Sequence, residues 1–251
     1  MKCLIVGNSH ASTPQLALRE GWSQPGLELD IIVIPGRVQP VMRVAEGRIY
    51  PTGNPKQMRS NVETVRSNGL DLGAYQAVWL VGFGLSGPSS LTLADGSHAF
   101  ARACHGIGAD GLGEGCAVSQ VSRRVMAEIL AHDISSGGFL PLMQSLTKQG
   151  GLALRVVPRP RPSARLLTTA QAELQALYGD QAEAALGPYF ALHDEVMARL
   201  VGTTAPILWQ DPSTIAASFT AEPFTQPADV THMNGAYGRL VLDQLVASMQ
   251  G

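Results

Sequence analysis

Met1-Lys-Cys3-Leu-Ile-Val6-Gly7-Asn8-Ser9-His10 carries the strongest local signal in the chain. Cys3 to Val6 is a short apolar run that stops at Gly7. A few small or polar residues then lead to Thr13-Pro14, a helix N-cap followed by a residue suited to the first helical position. The pattern is strand, tight turn, helix. Such a turn presents the Ser9 hydroxyl at the carboxyl end of a central strand, where open α/β sheets bind their ligands.

Similar apolar runs recur at residues 29–34, closed by Pro35-Gly36, at 77–81, ended by Gly82-Phe-Gly84, at 152–157 and at 206–210. Helical periodicity occupies 119–131, 169–177 and 189–200, with a break expected at Gly187-Pro188 between the last two. Residues 41–50 alternate around Glu46-Gly47 as a small hairpin, and 60–67 form a weak helical patch. Asn234 is placed to cap a final helix whose apolar positions are Tyr237, Leu240, Val241, Leu245, Val246 and Met249. Strands alternating with helices predict a mainly parallel sheet of about five strands covered on both faces. One domain over residues 1–251 is the simplest organisation. A glycine-rich stretch at 87–115 interrupts it, and loops of that length in compact domains serve as binding loops or lids.

Composition narrows the function classes. The 251 residues carry a formal charge of −2, so there is no excess of Lys and Arg for a nucleic-acid groove or an anionic membrane surface. The opening apolar run is too short for a signal peptide, and no run approaches a membrane span. Cys3, Cys104 and Cys116 follow no disulfide or zinc pattern, and His98, His105, His132 and His193 show no ligand spacing with cysteines or acids. The expectation is a cytoplasmic protein with no metal and no cofactor.

Asp229-Val-Thr-His232-Met-Asn234 lies near the other end of the chain. A serine hydroxyl is a weak nucleophile until a base removes its proton during attack. His232 can be that base. Its other ring nitrogen needs an acceptor that fixes the tautomer and steadies the imidazolium, and Asp229, three residues earlier, has the reach.

Taken together, Gly7-Asn8-Ser9-His10 after the first strand and Asp229-x-x-His232-x-Asn234 before the last helix resemble the SGNH (GDSL-like) hydrolases. The resemblance implies a three-layer α/β/α, flavodoxin-like fold. It also implies Ser9 as nucleophile, His232 as base and Asp229 as its orienting partner, acting on carboxylic esters, often acetyl groups on carbohydrates. Gly-Asn-Ser replaces the family's commoner Gly-Asp-Ser. More consequentially, Gly82-Phe-Gly84 stands where the family has Gly-x-Asn, so the amide that donates to the oxyanion is absent. Losing one such donor typically costs about 10²–10³ in rate. The N–H groups of Ser9, Gly36 and Gly84 are the expected substitutes, with His10 either structural or a lining residue touching substrate, and not a second base.

Other readings stand beside this one. An acyltransferase would use the same triad with a sugar hydroxyl in place of water, and a non-catalytic carbohydrate binder would explain the missing amide. Gly82-Phe-Gly-Leu-Ser-Gly87 matches a dinucleotide fingerprint but is followed by Pro88 and a glycine-rich loop in place of a helix. Arg155, Arg159, Arg161 and Arg165 lie among prolines. They read as a stiff solvated loop, or else as a clamp for an acidic sugar, a phosphate or coenzyme A.

Overall fold

The computed structural model describes residues 1–34, 42–51, 59–60, 69–84, 123–136, 139–169, 171 and 182–250. In chain order the elements are β1 (Lys2–Gly7), α1 (Ser12–Arg19), β2 (Glu28–Val33), β3 (Met42–Ala45), β4 (Arg48–Pro51), β5 (Arg59–Ser60), β6 (Leu70–Asp71) and β7 (Ala77–Phe83). There follow α2 (Arg123–Ser136), α3 (Phe139–Thr147), β8 (Ala153–Pro158), α4 (Ala182–Val201) and α5 (Gly235–Ala247).

The main sheet runs β5-β2-β1-β7-β8. The strands β2, β1, β7 and β8 are parallel, and β5 lies antiparallel along the outer edge of β2. Beyond β8, residues 206–208 continue the order: Val156 N–H donates to the Pro206 carbonyl at 3.0 Å and Leu208 N–H to the Val156 carbonyl at 2.8 Å. Counted along the chain, the parallel order is second, first, third, fourth, fifth, the flavodoxin-like arrangement. Its switch point falls between β1 and β7, at the carboxyl ends of those strands. The hairpin β3–β4 turns at Glu46-Gly47 as the pattern predicts and pairs with β6 in a separate small sheet.

Alternating side chains of the central strands build a core on each face, as the two-residue period requires. Leu4, Val6, Val78 and Leu80 pack with α2, α3 and α4 on one side. Cys3, Ile5, Ala77 and Trp79 pack with α1 and α5 on the other. The result is a three-layer α/β/α fold. Each fully buried large side chain contributes roughly 1.5–3 kcal/mol. Burial also pushes the Cys3 thiol up to about 11, so this cysteine is an inert core residue.

The layer formed by α1 and α5 brings the chain ends together. A Cβ on Gly238 would lie 2.3 Å from the Thr13 carbonyl, so only glycine lets α5 sit this close to the first turn of α1. Trp22 Nε1–H donates to Asp243 at 2.9 Å and Arg239 to the Glu20 carbonyl at 2.6 Å, which fastens the pair further. Ser9 precedes α1 and His232 precedes α5, so this helix contact delivers both to one rim of the sheet.

Several expectations need correction. Helix α4 runs unbroken through Pro188. Interior proline costs about 3 kcal/mol, but Leu186, Tyr189, Phe190, Leu192, Val196, Met197 and Val201 are all buried, and their burial outweighs it. Residues 206–210 make only one bridge to β8. Pro206 has no N–H to donate, and the Gln210 side-chain Nε2 ties the end of the run to the Thr214 and Thr220 hydroxyls at 3.1 and 2.9 Å. The start of α1 is organised by Asn8, which caps a 3₁₀ turn over Ser9–Ala11, and not by Thr13. Ser60 is in a strand, and the rest of the 60–67 patch lies outside the described residues. So do the 87–115 stretch, residues 119–122 of the 119–131 helical run, and residues 170 and 172–177 of the next. No helix among the described residues is long and apolar enough to cross a membrane.

Candidate active site

The turn after β1 is built from short-range contacts. Asn8 accepts the His10 N–H on its side-chain oxygen at 2.9 Å and donates its amide to the Gly82 carbonyl at 2.8 Å. It therefore ties the end of β1 to the end of β7 across the switch point. Ser12 Oγ donates to the Ser9 carbonyl at 2.5 Å. Ser9 sits inside this knot, just past the carboxyl end of β1. The tie to Gly82 uses an N–H that an aspartate at position 8 would lack. The sequence alone gave Asn8 no role, because the strand it grips is distant in the chain.

The opposing segment presents His232 and Asp229. His232 Nε2 lies 2.7 Å from Ser9 Oγ, and His232 Nδ1 lies 2.5 Å from Asp229 Oδ2. The second carboxylate oxygen of Asp229 accepts the Thr231 N–H at 2.7 Å, the Thr231 hydroxyl at 2.9 Å and the His232 N–H at 3.0 Å. Burial alone would favour the neutral acid. The bonds from the Thr231 N–H, the His232 ring and N–H, and the Thr231 hydroxyl together outweigh it and hold Asp229 well below the usual carboxylate range. A fixed carboxylate at Nδ1 takes the ring proton there. That leaves the Nε2 lone pair facing the serine hydroxyl, the arrangement a base needs. Thus Ser9, His232 and Asp229 form one continuous hydrogen-bonded line.

The remaining predicted residues are placed as follows. His10 is 3% exposed and stacks on His232, ring centroids 4.9 Å apart and planes inclined by 28°. Burial, then the nearby Arg159 and His232 charges, hold it far below the ordinary histidine value against a weaker opposing pull from Asp229, so it is neutral. Neither of its ring nitrogens has a partner among the described residues. Gly84 follows β7 with φ of +111°, and a Cβ there would meet His193 Nε2 at 2.9 Å. Gly36 lies outside the described residues. His193 went unnoticed in the sequence beyond its lack of metal spacing; its Nε2 is buried and unpartnered among the described residues.

The arginines separate into different jobs. Arg155 donates to the Ser248 carbonyl at 2.7 Å and its hydroxyl at 3.1 Å, locking the end of α5. Arg161 reaches Asp194 at 3.5 Å and lies over the Phe190 ring. Arg165 is turned onto the 225–229 segment. Burial brings Arg159 down to about 10, against the opposing pull of Tyr189 and Asp229. Among the described residues, no group of three or more His, Cys, Asp or Glu is placed to hold a metal ion.

No protein-family model matches this sequence, and no curated protein matches it. Among solved structures, the chain is similar to a GDSL-like lipase from Bacteroides thetaiotaomicron VPI-5482, with 10% identity and a TM-score of 0.42 over 99% of this chain and 86% of that one. It is also similar to a carbohydrate acetylesterase family member from Sinorhizobium meliloti, with 12% identity and a TM-score of 0.35 over 100% of this chain and 98% of that one. Overlaps this shallow transfer no residue role to this chain. The chemistry rests on the site itself.

Proposed function

We propose that this chain is a serine ester hydrolase that works through an acyl-serine intermediate. One observation carries the reading: the line from Ser9 Oγ to His232 Nε2 at 2.7 Å, across 223 positions of chain, and from His232 Nδ1 to Asp229 at 2.5 Å. In the reaction, His232 takes the Ser9 proton as Oγ attacks the ester carbonyl. The tetrahedral oxyanion is met by the N–H groups of Ser9 and Gly84. Collapse expels the alcohol, which receives the proton from His232. Water, activated by the same imidazole, then hydrolyses the acyl-serine to a carboxylic acid and restores the hydroxyl. Asp229 holds the tautomer and stabilises the imidazolium that forms.

A small acyl group, acetyl first, and a carbohydrate alcohol follow from the SGNH resemblance of the Gly-Asn-Ser and Asp-x-x-His motifs. The same triad serves an acyltransferase when a sugar hydroxyl captures the acyl group faster than water. A panel of aryl esters of increasing chain length, with water alone or with added sugars, tests the proposal. The expected result is turnover of short-chain esters by wild type and none above background in Ser9→Ala. Equal turnover in Ser9→Ala, or none in the folded wild type, would refute it.

A further inference from the structure

Asp229 and His232 stand on a segment, 225–233, that belongs to no helix and no extended ladder. Its internal bonds close it on itself. Gln226 N–H reaches the His232 carbonyl at 3.3 Å, Asp229 N–H the Gln226 carbonyl at 3.3 Å, and the Gln226 side chain the Met233 carbonyl at 3.0 Å. Such bonds shape the loop but do not fix its place against the sheet. Its ends are held by Asn234, which donates to the Thr225 carbonyl at 3.2 Å, and by buried Met233; its middle is held by the strip that follows β8. There Thr220 N–H donates to the Pro162 carbonyl at 2.9 Å, and Ser163 N–H donates to the Val230 carbonyl at 2.8 Å. Pro158, Pro160 and Pro162 each lock φ, so the strip is a stiff rail.

At the end of this rail the Arg165 guanidinium faces the loop. Its Nη1 donates to the Pro227 carbonyl at 2.8 Å. Its Nη2 donates to the Thr225 hydroxyl at 3.2 Å, to the Asp229 carbonyl at 3.3 Å and, more closely, to the Gln226 carbonyl. Among the described residues Arg165 makes no ion pair. Its charge is spread over uncharged oxygens of the one segment that carries both Asp229 and His232. The base of the side chain is anchored too. Its N–H lies 3.3 Å from Ser163 Oγ, and its carbonyl accepts the Thr168 and Thr169 N–H groups at 3.1 and 2.8 Å.

We propose that Arg165 is a positioning residue that holds the Asp229–His232 segment in register with Ser9, so that its guanidinium serves the triad and not an anionic substrate. The inference rests on the triad reading above. A planar fork of five donors can fan across several carbonyls, whereas a lysine ammonium on a flexible stem satisfies fewer of them. A displacement of about 1 Å at a reacting group costs up to about 10² in rate, and the Asp229 carbonyl is itself one of the anchors.

The test compares wild type, Arg165→Lys and Arg165→Ala on a neutral short-chain ester and on one bearing a carboxylate. The expected result is a fall in kcat of about 10–10² fold in Arg165→Ala. KM stays nearly unchanged, the loss is equal on both esters, Arg165→Lys is intermediate, and added methylguanidinium restores part of the rate. Amide hydrogen exchange at Thr231 and His232, whose N–H groups both bond to Asp229, should quicken in Arg165→Ala whatever the reaction. Wild-type kcat in Arg165→Ala, a loss confined to KM for the charged ester, or unchanged exchange at those two amides would overturn the proposal. Absence of any turnover by wild type would instead count against the esterase reading, and the exchange measurement would still decide the role of Arg165.

Discussion

The turn that carries Ser9 and the loop that carries Asp229 and His232 meet at one rim of the sheet, yet they are held by different means. Ser9 follows directly from a central strand, and its turn is tied to the adjacent strand end at Gly82 and to the first residue of α1 through Ser12. The loop has no ladder. One backbone bond, from Ser163 N–H to the Val230 carbonyl, and a few side chains place it: Arg165 from the strip after β8, and Asn234 at the loop's end, which donates to the Pro223 carbonyl at 2.7 Å and accepts the Tyr237 N–H at 3.2 Å. A turn born from a sheet inherits the rigidity of the sheet. A loop placed by side chains depends on a few substitutable groups, so its chemistry is the more exposed to single mutations.

The largest effect is expected on the loop side. In Asp229→Asn the oxygen that accepts from Thr231 and His232 can be kept, but the new amide donates towards His232 Nδ1 and forces the proton onto Nε2. The wrong tautomer then faces Ser9, and ester turnover should fall by about 10⁴. Steady-state kinetics measure this, and a loss under tenfold would mean that Asp229 does not orient the base. On the turn side the vulnerable point is steric. Gly82 has φ of +81° and a Cβ there would lie 2.1 Å from Asn8 Oδ1. Gly82→Ala should lose about 1–3 kcal/mol of stability from the backbone conformation, read by urea unfolding, together with activity as the Asn8 tie moves. Wild-type stability and activity in that variant would show that the turn is not held through Gly82.

The smallest effect lies behind the imidazole. His10 is neutral in the fold, with a value well below the ordinary 6.5 because of burial and the neighbouring Arg159 and His232 charges. Below pH ~6.5 the unfolded chain binds a proton at this residue that the native state does not, so stability falls as the pH drops through that region and is full above it. Between pH ~7.5 and ~5.5 this residue should account for a loss of stability, read by urea unfolding at the two pH values and missing in His10→Leu. Asp229 does not confuse that window. Its depressed value gives stability that is present above its unfolded pKa of about 3.9 and disappears only as pH falls towards the folded value. Equal pH slopes in wild type and His10→Leu would contradict the neutral, buried state.

Much of the architecture was legible because its causes are local. Cys3 to Val6 ending at Gly7, and the runs that became β2, β7 and β8, are continuous apolar stretches bounded by turn residues, the pattern of strands buried on both faces. The partnership of Ser9 with Asp229 and His232 came from the two motifs at the chain ends. What escaped was whatever depends on contacts between distant segments. The burial of His10 against His232, the grip of Asn8 on Gly82 and the fan of bonds from Arg165 leave no periodicity to read. Pro188 looked like a helix breaker because local propensity ignores the buried face of α4 that carries the helix through it. The arginines among prolines looked like a solvated loop or a ligand clamp, but Arg155 and Arg165 donate to carbonyls of their own chain.

The most direct test of the central claim is the site of covalent capture by a fluorophosphonate, mapped by mass spectrometry of the intact and digested protein. A single adduct on Ser9, formed by wild type and slowed by several orders of magnitude in His232→Ala, is the predicted result. An adduct elsewhere, no adduct on the folded protein, or equal labelling rates in wild type and His232→Ala would contradict the account.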